Sequence, residues 1–222
     1  MKILVTAGGT EEPIDGVRRL TNTSSGATGA VLARHFSERG AEVLLLHAQR
    51  ALVTNVGCRR ECFVSFSDLE GALHRNLSEE AWDVVVHLAA VGDYSIASVE
   101  VDGVPFITGG RGKIGTGHEV TLRLAANPKI IDKLHGWSLN PDIIIVGFKL
   151  TDEADPTLRE KAVQHLMDRA RPEFVVHNDL CEIGPEHHKA TFFDRTGLIA
   201  RSETKDEMAQ TLWHLISKGV IQ

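Results

Sequence analysis

The sequence predicts an α/β protein: a mostly parallel β-sheet with helices on both faces, plus a projecting β arm or flap. Three observations carry this. Short, continuously apolar strands alternate with helical patterns through the first half of the chain, as in a parallel sheet buried on both sides. A glycine turn follows the first strand and leads through a long polar loop into the next helix. The alternation then breaks over Ser95–Val120, where β residues and glycines take over.

Lys2–Thr6 (KILVT) is the first buried strand. Gly26–Arg39 carries apolar residues at helical spacing and stops at Gly40, a residue suited to ending a helix. Glu42–His47 (EVLLLH) is the second strand, Asp68–Ala81 a helix capped by Ser67 or Asp68, and Asp83–Leu88 (DVVVHL) the third strand. Ser95–Val120, with its run Gly109-Gly110-Arg111-Gly112-Lys113-Ile114-Gly115-Thr116-Gly117, is too long for a plain connector and reads as an arm or flap. Regular order resumes with a strand at Val120–Leu124 and a helix at Pro128–His135, with the proline in its first turn. A strand at Asp142–Phe148, a helix at Thr157–Ala170 and a strand at Phe174–His177 follow. A hairpin across Ala190–Ala200 and a helix from about Lys205 complete the chain. No repeat or linker divides it, so residues 1–222 are expected to form one domain, with the arm and flap at about 95–120.

Composition narrows the partners. No apolar run reaches the roughly 18–20 residues that span a bilayer, and Met1-Lys2 leads directly into a strand rather than a secretory signal. Three cysteines give no disulfide framework, which points to the cytoplasm. A net charge of −6 argues against nucleic acid. It leaves anionic small ligands open, because a few lysines aimed into one cleft set the local potential.

In an open α/β sheet, ligands bind beyond the carboxyl ends of the strands. Four segments fall there: Ala7–Gly26, Ala89–Tyr94, Phe148–Thr151 and Asn178-Asp179. Gly8 and Gly9 let backbone amides approach a phosphate, and Asn22-Thr23-Ser24-Ser25-Gly26 places short polar groups where a helix begins. The plainer alternative is that Ser24 or Ser25 only caps the helix. Ala89-Ala90-Val91-Gly92-Asp93-Tyr94 offers small residues against a planar ligand and one carboxylate for a ribose, an amine or a metal. Lys113 is a cation on a glycine-flanked flap. Lys161 and His165 stand one helical turn apart and share a face.

Other phosphate and metal sites fail. A P-loop requires G-x-x-x-x-G-K-[ST], but Ile114 follows Lys113 and Ile107 stands where the first glycine belongs. A dinucleotide fingerprint lacks its glycine spacing and the acid after strand two, where His47-Ala48 stand. Tyr94 has Ser98 four residues on, so the Tyr-x-x-x-Lys pair of a reductase is missing. Cys58 and Cys62 have the wrong spacing for zinc, and His187-His188 read as a surface loop. No residue is assigned as a metal ligand.

The segments Val5–Thr10, Glu12–Asp15, Val17-Arg18 and Thr21–Gly26 together resemble phosphopantothenate–cysteine ligase, also called phosphopantothenoylcysteine synthetase. So do Ala89–Tyr94, Gly112–Ile114, Asn127–Ile130, Val146–Lys149 and Val175–Asp179, in matching order from Lys2 to about Phe193. The resemblance implies a Rossmann-like sheet, a homodimer formed partly through the arm at Ser95–Thr108, and a stand-alone ligase beginning at Met1. It implies that the carboxylate of 4′-phosphopantothenate attacks the α-phosphate of CTP, or ATP in some branches, with Mg²⁺ present. Pyrophosphate leaves, and the cysteine amine then displaces the nucleotide from the acyl-cytidylate.

Carried over position by position, Asn22 matches the asparagine that contacts the acyl intermediate and Lys113 the flap lysine that closes over it. Ala89, Asp93, Phe148 and the segment Ala125, Ala126, Asn127, Pro128 match nucleotide-binding positions. Lys161 matches a nucleotide-phosphate lysine, and His165 falls where lysine is common. Gly8, Gly9, Ser24, Ser25 and Gly26 complete the expected nucleotide site. The sequence departs from fused family members at Gly115-Thr116, where further lysines are common. An NAD(P)-dependent reductase, or a nucleotide- or flavin-binding protein without turnover, is the alternative.

Overall fold

The computed structural model describes residues 1–54, 56–108, 112–184 and 187–220. The chain begins with β1 (Lys2–Ala7), a ribbon of β2 (Glu11–Pro13) and β3 (Arg19–Thr21), and α1 (Ala27–Glu38). β4 (Glu42–Ala48), β5 (Arg59–Phe63), α2 (Phe66–Glu79) and β6 (Val84–His87) follow. β7 (Tyr94–Val101), β8 (Val104–Phe106) and β9 (Val120–Ala126) then form a separate sheet. α3 (Leu134–Trp137), β10 (Ile144–Thr151), α4 (Pro156–Ala170), β11 (Phe174–Asp179), β12 (Ala190–Asp194), β13 (Gly197–Ser202) and α5 (Lys205–Val220) complete the order.

The main sheet has eight strands in the order β13-β12-β11-β10-β6-β1-β4-β5. From β5 to β11 every pairing is parallel, and β12 and β13 add an antiparallel edge. β1 is central: Thr6 sits beside Leu46 of β4 on one side and His87 of β6 on the other. Both faces are covered, as the continuous apolar strands predict. Leu4, Val85 and Ile145 face a core with Leu69, Leu73 and Trp82, while Ile3, Val5 and Val146 face one with Leu32, Phe36 and Leu212.

Local chemistry explains the helix ends. Gly26 enters α1 in the left-handed region (φ 72°) and Gly40 follows its end at φ 81°. α2 starts earlier than expected, at Phe66. Ser65 is its cap and Asp68 its third residue, each side chain bonded to the other's amide (3.2 and 2.9 Å). Asp155 caps α4 by accepting from Thr157 N at 2.8 Å, with Pro156 in the first turn.

Three expectations are corrected. Val120–Leu124 does form a strand, but β9 pairs with β7 in the arm and is exposed along most of its length. Its VTLRLAA sequence puts Val120, Leu122 and Leu124 on one face but Thr121 and Arg123 on the other, so it does not suit burial on both sides. The helix expected at Pro128–His135 is a 3₁₀ turn at Ile130–Lys133 followed by the single α-turn of α3. Pro128 precedes it in extended chain, where Asn127 is held by hydrogen bonds to Gly92 and Asp93. β5 was not anticipated, because the charged residues of RRECF suit an edge strand and hide the apolar signal.

The arm is a hairpin closed by Asp102-Gly103, both at positive φ (50° and 78°), with β9 added beside β7. Asp102 accepts from the Glu119 amide at 2.9 Å and binds His118 Nδ1 at 2.5 Å, joining the turn to the chain leading into β9.

Gly29 sets how closely α1 lies on β1: a Cβ there would stand 2.5 Å from Ala7 Cβ. Gly29→Ala must push the helix off the strand, so urea denaturation should show a loss of about 1–3 kcal/mol. An unchanged midpoint would mean that α1 seats elsewhere.

Candidate functional site

A cleft of about 860 Å³ opens at the carboxyl ends of β1, β6, β10 and β11 and runs to the first turn of α1. Its back is built from glycines. Gly8 adopts φ 87°, and a Cβ there would meet Ala48 Cβ at 2.6 Å; Gly26 is equally tight against Ala51 Cβ at 2.7 Å. The backbone therefore passes where no side chain fits, with amides at the start of α1 turned to the cavity. Ser25 Oγ reaches the Ala27 amide only at 3.4 Å, so capping does not fully occupy it.

His87 lines the cleft, and the fully buried Thr6 stands beside it in the sheet. Thr6 Oγ1 accepts from the Leu88 and Ala89 amides at 3.1 and 3.0 Å and lies 3.1 Å from His87 Nδ1. Burial pushes the His87 pKa down to about 4, so the ring is neutral at physiological pH.

The segments expected to converge do so. Gly8, Asn22, Ser24, Ser25, Gly26, Ala89, Asp93, Pro128, Phe148 and His165 all line the cleft. Asn22 is aimed by a hydrogen bond from Nδ2 to Val91 O at 3.1 Å, and Asp93 pairs with Lys129 Nζ at 2.5 Å. Gly9 supports the wall from behind, for a Cβ there would stand 2.1 Å from Asn22 O. Ala125 and Ala126 pair with Ser95 and Tyr94 in the arm and stay outside the lining. Asn127 is a tie: Nδ2 donates to Gly92 O at 2.9 Å and Oδ1 accepts from Ser95 Oγ at 2.8 Å.

Of Lys161 and His165, only His165 lines the cleft. The stripe of α4 on the wall is Ala162, His165, Leu166 and Arg169, the i, i+3, i+4, i+7 set. Lys161 lies on the far side of that stripe from Leu166 and is exposed. The same spacing carried forward from His165 finds Arg169, which had not been singled out. Lys149 follows Phe148 at the end of β10, and Lys205 opens α5; neither makes an ion pair among the described residues. His188 also lines the wall, half-buried and 3.4 Å from Thr28 Oγ1, although a surface loop was expected there. Burial first, and then Lys205, push its pKa down to about 4. The described lining thus carries four cations (Lys129, Lys149, Arg169, Lys205) against the single carboxylate of Asp93, in a chain of net charge −6. That excess suits a polyanion.

Lys113 lies outside the lining, exposed, on a segment tied down on both sides of it. Gly112 O accepts from the Gly16 amide at 2.9 Å, and the Ile114 amide donates to Asp15 Oδ2 at 3.1 Å. Arg18 Nη1 bonds both Asp15 Oδ2 (2.5 Å) and Ile114 O (3.2 Å). Asp15 is fully buried, and its Oδ1 accepts from the Val17 and Arg18 amides at 2.8 and 2.7 Å. The backbone bonds from Arg18 and Val17 lead the groups that hold its carboxyl well below the usual range. Residues 109–111, the rest of the expected flap, lie outside the described residues.

Comparison with known proteins adds three findings. The chain matches the DNA/pantothenate metabolism flavoprotein C-terminal domain over residues 1–220. It is 33% identical over 220 residues to the coenzyme A biosynthesis bifunctional protein CoaBC of Thermococcus kodakarensis, covering 98% of this chain and 51% of the relative. The CoaBC of Escherichia coli K12 is 26% identical over 168 residues, covering 76% and 39%. The chain thus spans about half the length or less of these curated relatives. Among solved structures, the DNA/pantothenate metabolism flavoprotein of Streptococcus pneumoniae superposes with a TM-score of 0.84 at 27% identity, covering 98% of this chain and 99% of that one. A Cab2 mutant in complex with phosphopantothenate-cysteine shares the fold at 18% identity, with a TM-score of 0.78 over 99% of this chain and 87% of that one.

Asp15→Asn keeps one oxygen for the Val17 and Arg18 amides but removes the acceptor of Ile114 N. Hydrogen exchange at the Ile114 amide should accelerate about tenfold or more while β1 amides keep their protection. Because the Asp15 pKa lies below its unfolded value, the tether acts fully above about pH 4 and is lost only on further acidification. Equal exchange in both proteins would show that the flap is held by other contacts.

Proposed function

Because the chain belongs to the family of DNA/pantothenate metabolism flavoprotein C-terminal domains, we propose that it joins 4′-phosphopantothenate to L-cysteine through an acyl-nucleotide. The observation that carries this reading is the convergence of Asn22, Ser24–Gly26, Asp93, Phe148 and His165 on one cleft with an excess of cations. Both substrates of the first step are multiply anionic, so their encounter requires such a field. The names of its relatives, coenzyme A biosynthesis proteins and a Cab2 mutant bound to phosphopantothenate-cysteine, favour the same chemistry.

The substrate carboxylate attacks the α-phosphorus of the nucleoside triphosphate, the bond to the β-phosphate breaks, and pyrophosphate leaves. The amine of cysteine then attacks the acyl carbonyl, and the nucleoside monophosphate departs. No protein nucleophile is required. The chain supplies position and charge: amides at Gly8 and the start of α1 for phosphate oxygens, and Asn22 beside Val91 for the acyl group. The small residues Ala89 and Ala90 leave room for a base or ribose. Lys149, Arg169 and Lys205 draw the phosphates in, and Lys113 closes over them once the ties of its segment to Gly16 and Asp15 give way.

The nucleotide in this reading is CTP or ATP, and the metal Mg²⁺. The described residues contain no group of three or more potential ligands, and Asp93 is the one carboxylate on the described lining. That donor set fits an ion carried in on the triphosphate, since Mg²⁺ at such sites takes most of its ligands from phosphate and water. Asp93 would hold it, and once bound it would screen the phosphate charge. A homodimer belongs to the same reading. The arm leaves Tyr94, Val104, Ile107, Val120 and Leu124 exposed, and β9 is open to solvent along nearly its whole length. A small sheet of this kind is better stabilised against a second copy.

Incubation with CTP or ATP, Mg²⁺ and 4′-phosphopantothenate should release pyrophosphate, and cysteine should release the nucleoside monophosphate. Pyrophosphate that never depends on phosphopantothenate, or none with any nucleotide, would sink the ligase. Lys113→Gln should lower kcat by about ten- to a hundredfold with little change in nucleotide KM; unchanged kinetics would reduce Lys113 to a solvated loop residue.

A further inference from the structure

The His87 ring lining the cleft has a defined tautomer, and its partners determine it. The Thr6 hydroxyl oxygen has two lone pairs, and the amides of Leu88 and Ala89 donate to it at 3.1 and 3.0 Å. Its one hydrogen is therefore free to go only to His87 Nδ1, 3.1 Å away. Nδ1 accepts, so the proton of the neutral ring is on Nε2. Among the described residues nothing takes Nε2, and His87 lines the cleft.

The position of this donor is as telling as its tautomer. Thr6 and His87 are register partners at the carboxyl ends of β1 and β6. The chain leaves β1 for β4 on one side, and the sheet continues through β6 on the other. The pair therefore stands at the point where the strand order reverses, the crevice in which such sheets bind their ligands. The glycine-built start of α1 and the Ala89 turn line the same cleft.

We propose that His87 donates a hydrogen bond from Nε2 to an oxygen of the acyl phosphate formed between the two substrates, and so is a catalytic residue of the ligation. The role of the ring is that of a neutral, rigid donor, not a base. Its pKa of about 4 keeps it uncharged, and the two backbone amides hold Thr6 so that the ring cannot turn over without losing its partner. A preorganised donor aimed where negative charge develops is worth far more in a closed site than in water. This inference takes its substrate from the ligase reading above; the tautomer, and an Nε2 without a partner among the described residues, do not depend on it.

Two measurements test it. In ¹⁵N-histidine-labelled protein at pH 7, the ring in contact with Thr6 should show the Nε2–H tautomer. Its Nε2 resonance should move when CTP, Mg²⁺ and 4′-phosphopantothenate are added without cysteine. An Nδ1–H or charged ring, or an Nε2 signal indifferent to bound ligand, overturns the proposal in the unaltered protein. In turnover, His87→Phe should lower kcat about a hundredfold with each KM changed by less than about threefold. His87→Gln, whose amide N–H can reach the place of Nε2, should recover about tenfold of that loss. If the unaltered protein turns over and His87→Phe matches it, the role of His87 falls and the ligase stands. If the unaltered protein releases no pyrophosphate with any nucleotide, the ligase falls, and the ¹⁵N spectrum still decides the Nε2 donor by its response to CTP alone.

Discussion

β1 lies between β4 and β6, and the geometry of the cleft depends on that placement. The chain leaves β1 toward one neighbour, while the sheet is continued by the other, so the loops above the two strands diverge and leave a crevice between them. Everything nearby is fitted to the gap. Gly8 and Gly26 turn the backbone at positive φ against Ala48 and Ala51, and Gly29 lets α1 settle on Ala7. The helix start faces the crevice because those three contacts exclude a Cβ. A ligand therefore meets backbone amides rather than side chains at the back of the site.

Buried polar groups then make the surroundings rigid. Thr6 gathers the Leu88 and Ala89 amides at the turn after β6, and Asp15 gathers the Val17, Arg18 and Ile114 amides around one carboxylate. Asp179 does the same at the end of β11. Burial by itself would raise its pKa, but Thr151 and the Cys181 and Glu153 amides outweigh it and hold it low, with Arg159 3.2 Å away. Each carboxylate or hydroxyl stands in for a stretch of secondary structure that these loops lack. Satisfied in this way, loops that carry function gain the precision of strands.

Charge is distributed on a different principle. Apart from the buried Asp15 and Asp179, most paired acidic residues stand at or near the surface, in ion pairs of small individual worth. Lys129, Lys149, Arg169 and Lys205 instead converge on one cavity whose described lining holds a single carboxylate. The cations that the sequence lacks beside Lys113 and at His165 are thus met, in part, by residues on β10, α4 and α5. The ligand field of the cleft is a property of the assembled wall, not of one loop.

The sequence by itself determined the alternation of buried strands and helices, the glycine turns at Gly8 and Gly26, and the four segments that end at the cleft. These are local or periodic properties: an apolar run of five residues or a glycine before a helix announces itself without its neighbours. Asn22, Asp93, Phe148 and His165, named from the sequence, stand on the wall of the cleft. Only the tertiary structure placed β9 in the arm, left Ala125, Ala126, Asn127 and Lys161 off the lining, and brought Lys149, Arg169, His188 and Lys205 onto it. It alone paired Thr6 with His87 and closed Asp15 on Ile114. Those contacts join residues about 80 and 99 positions apart. Nothing in the residues between them encodes the meeting, which follows from strand order and register.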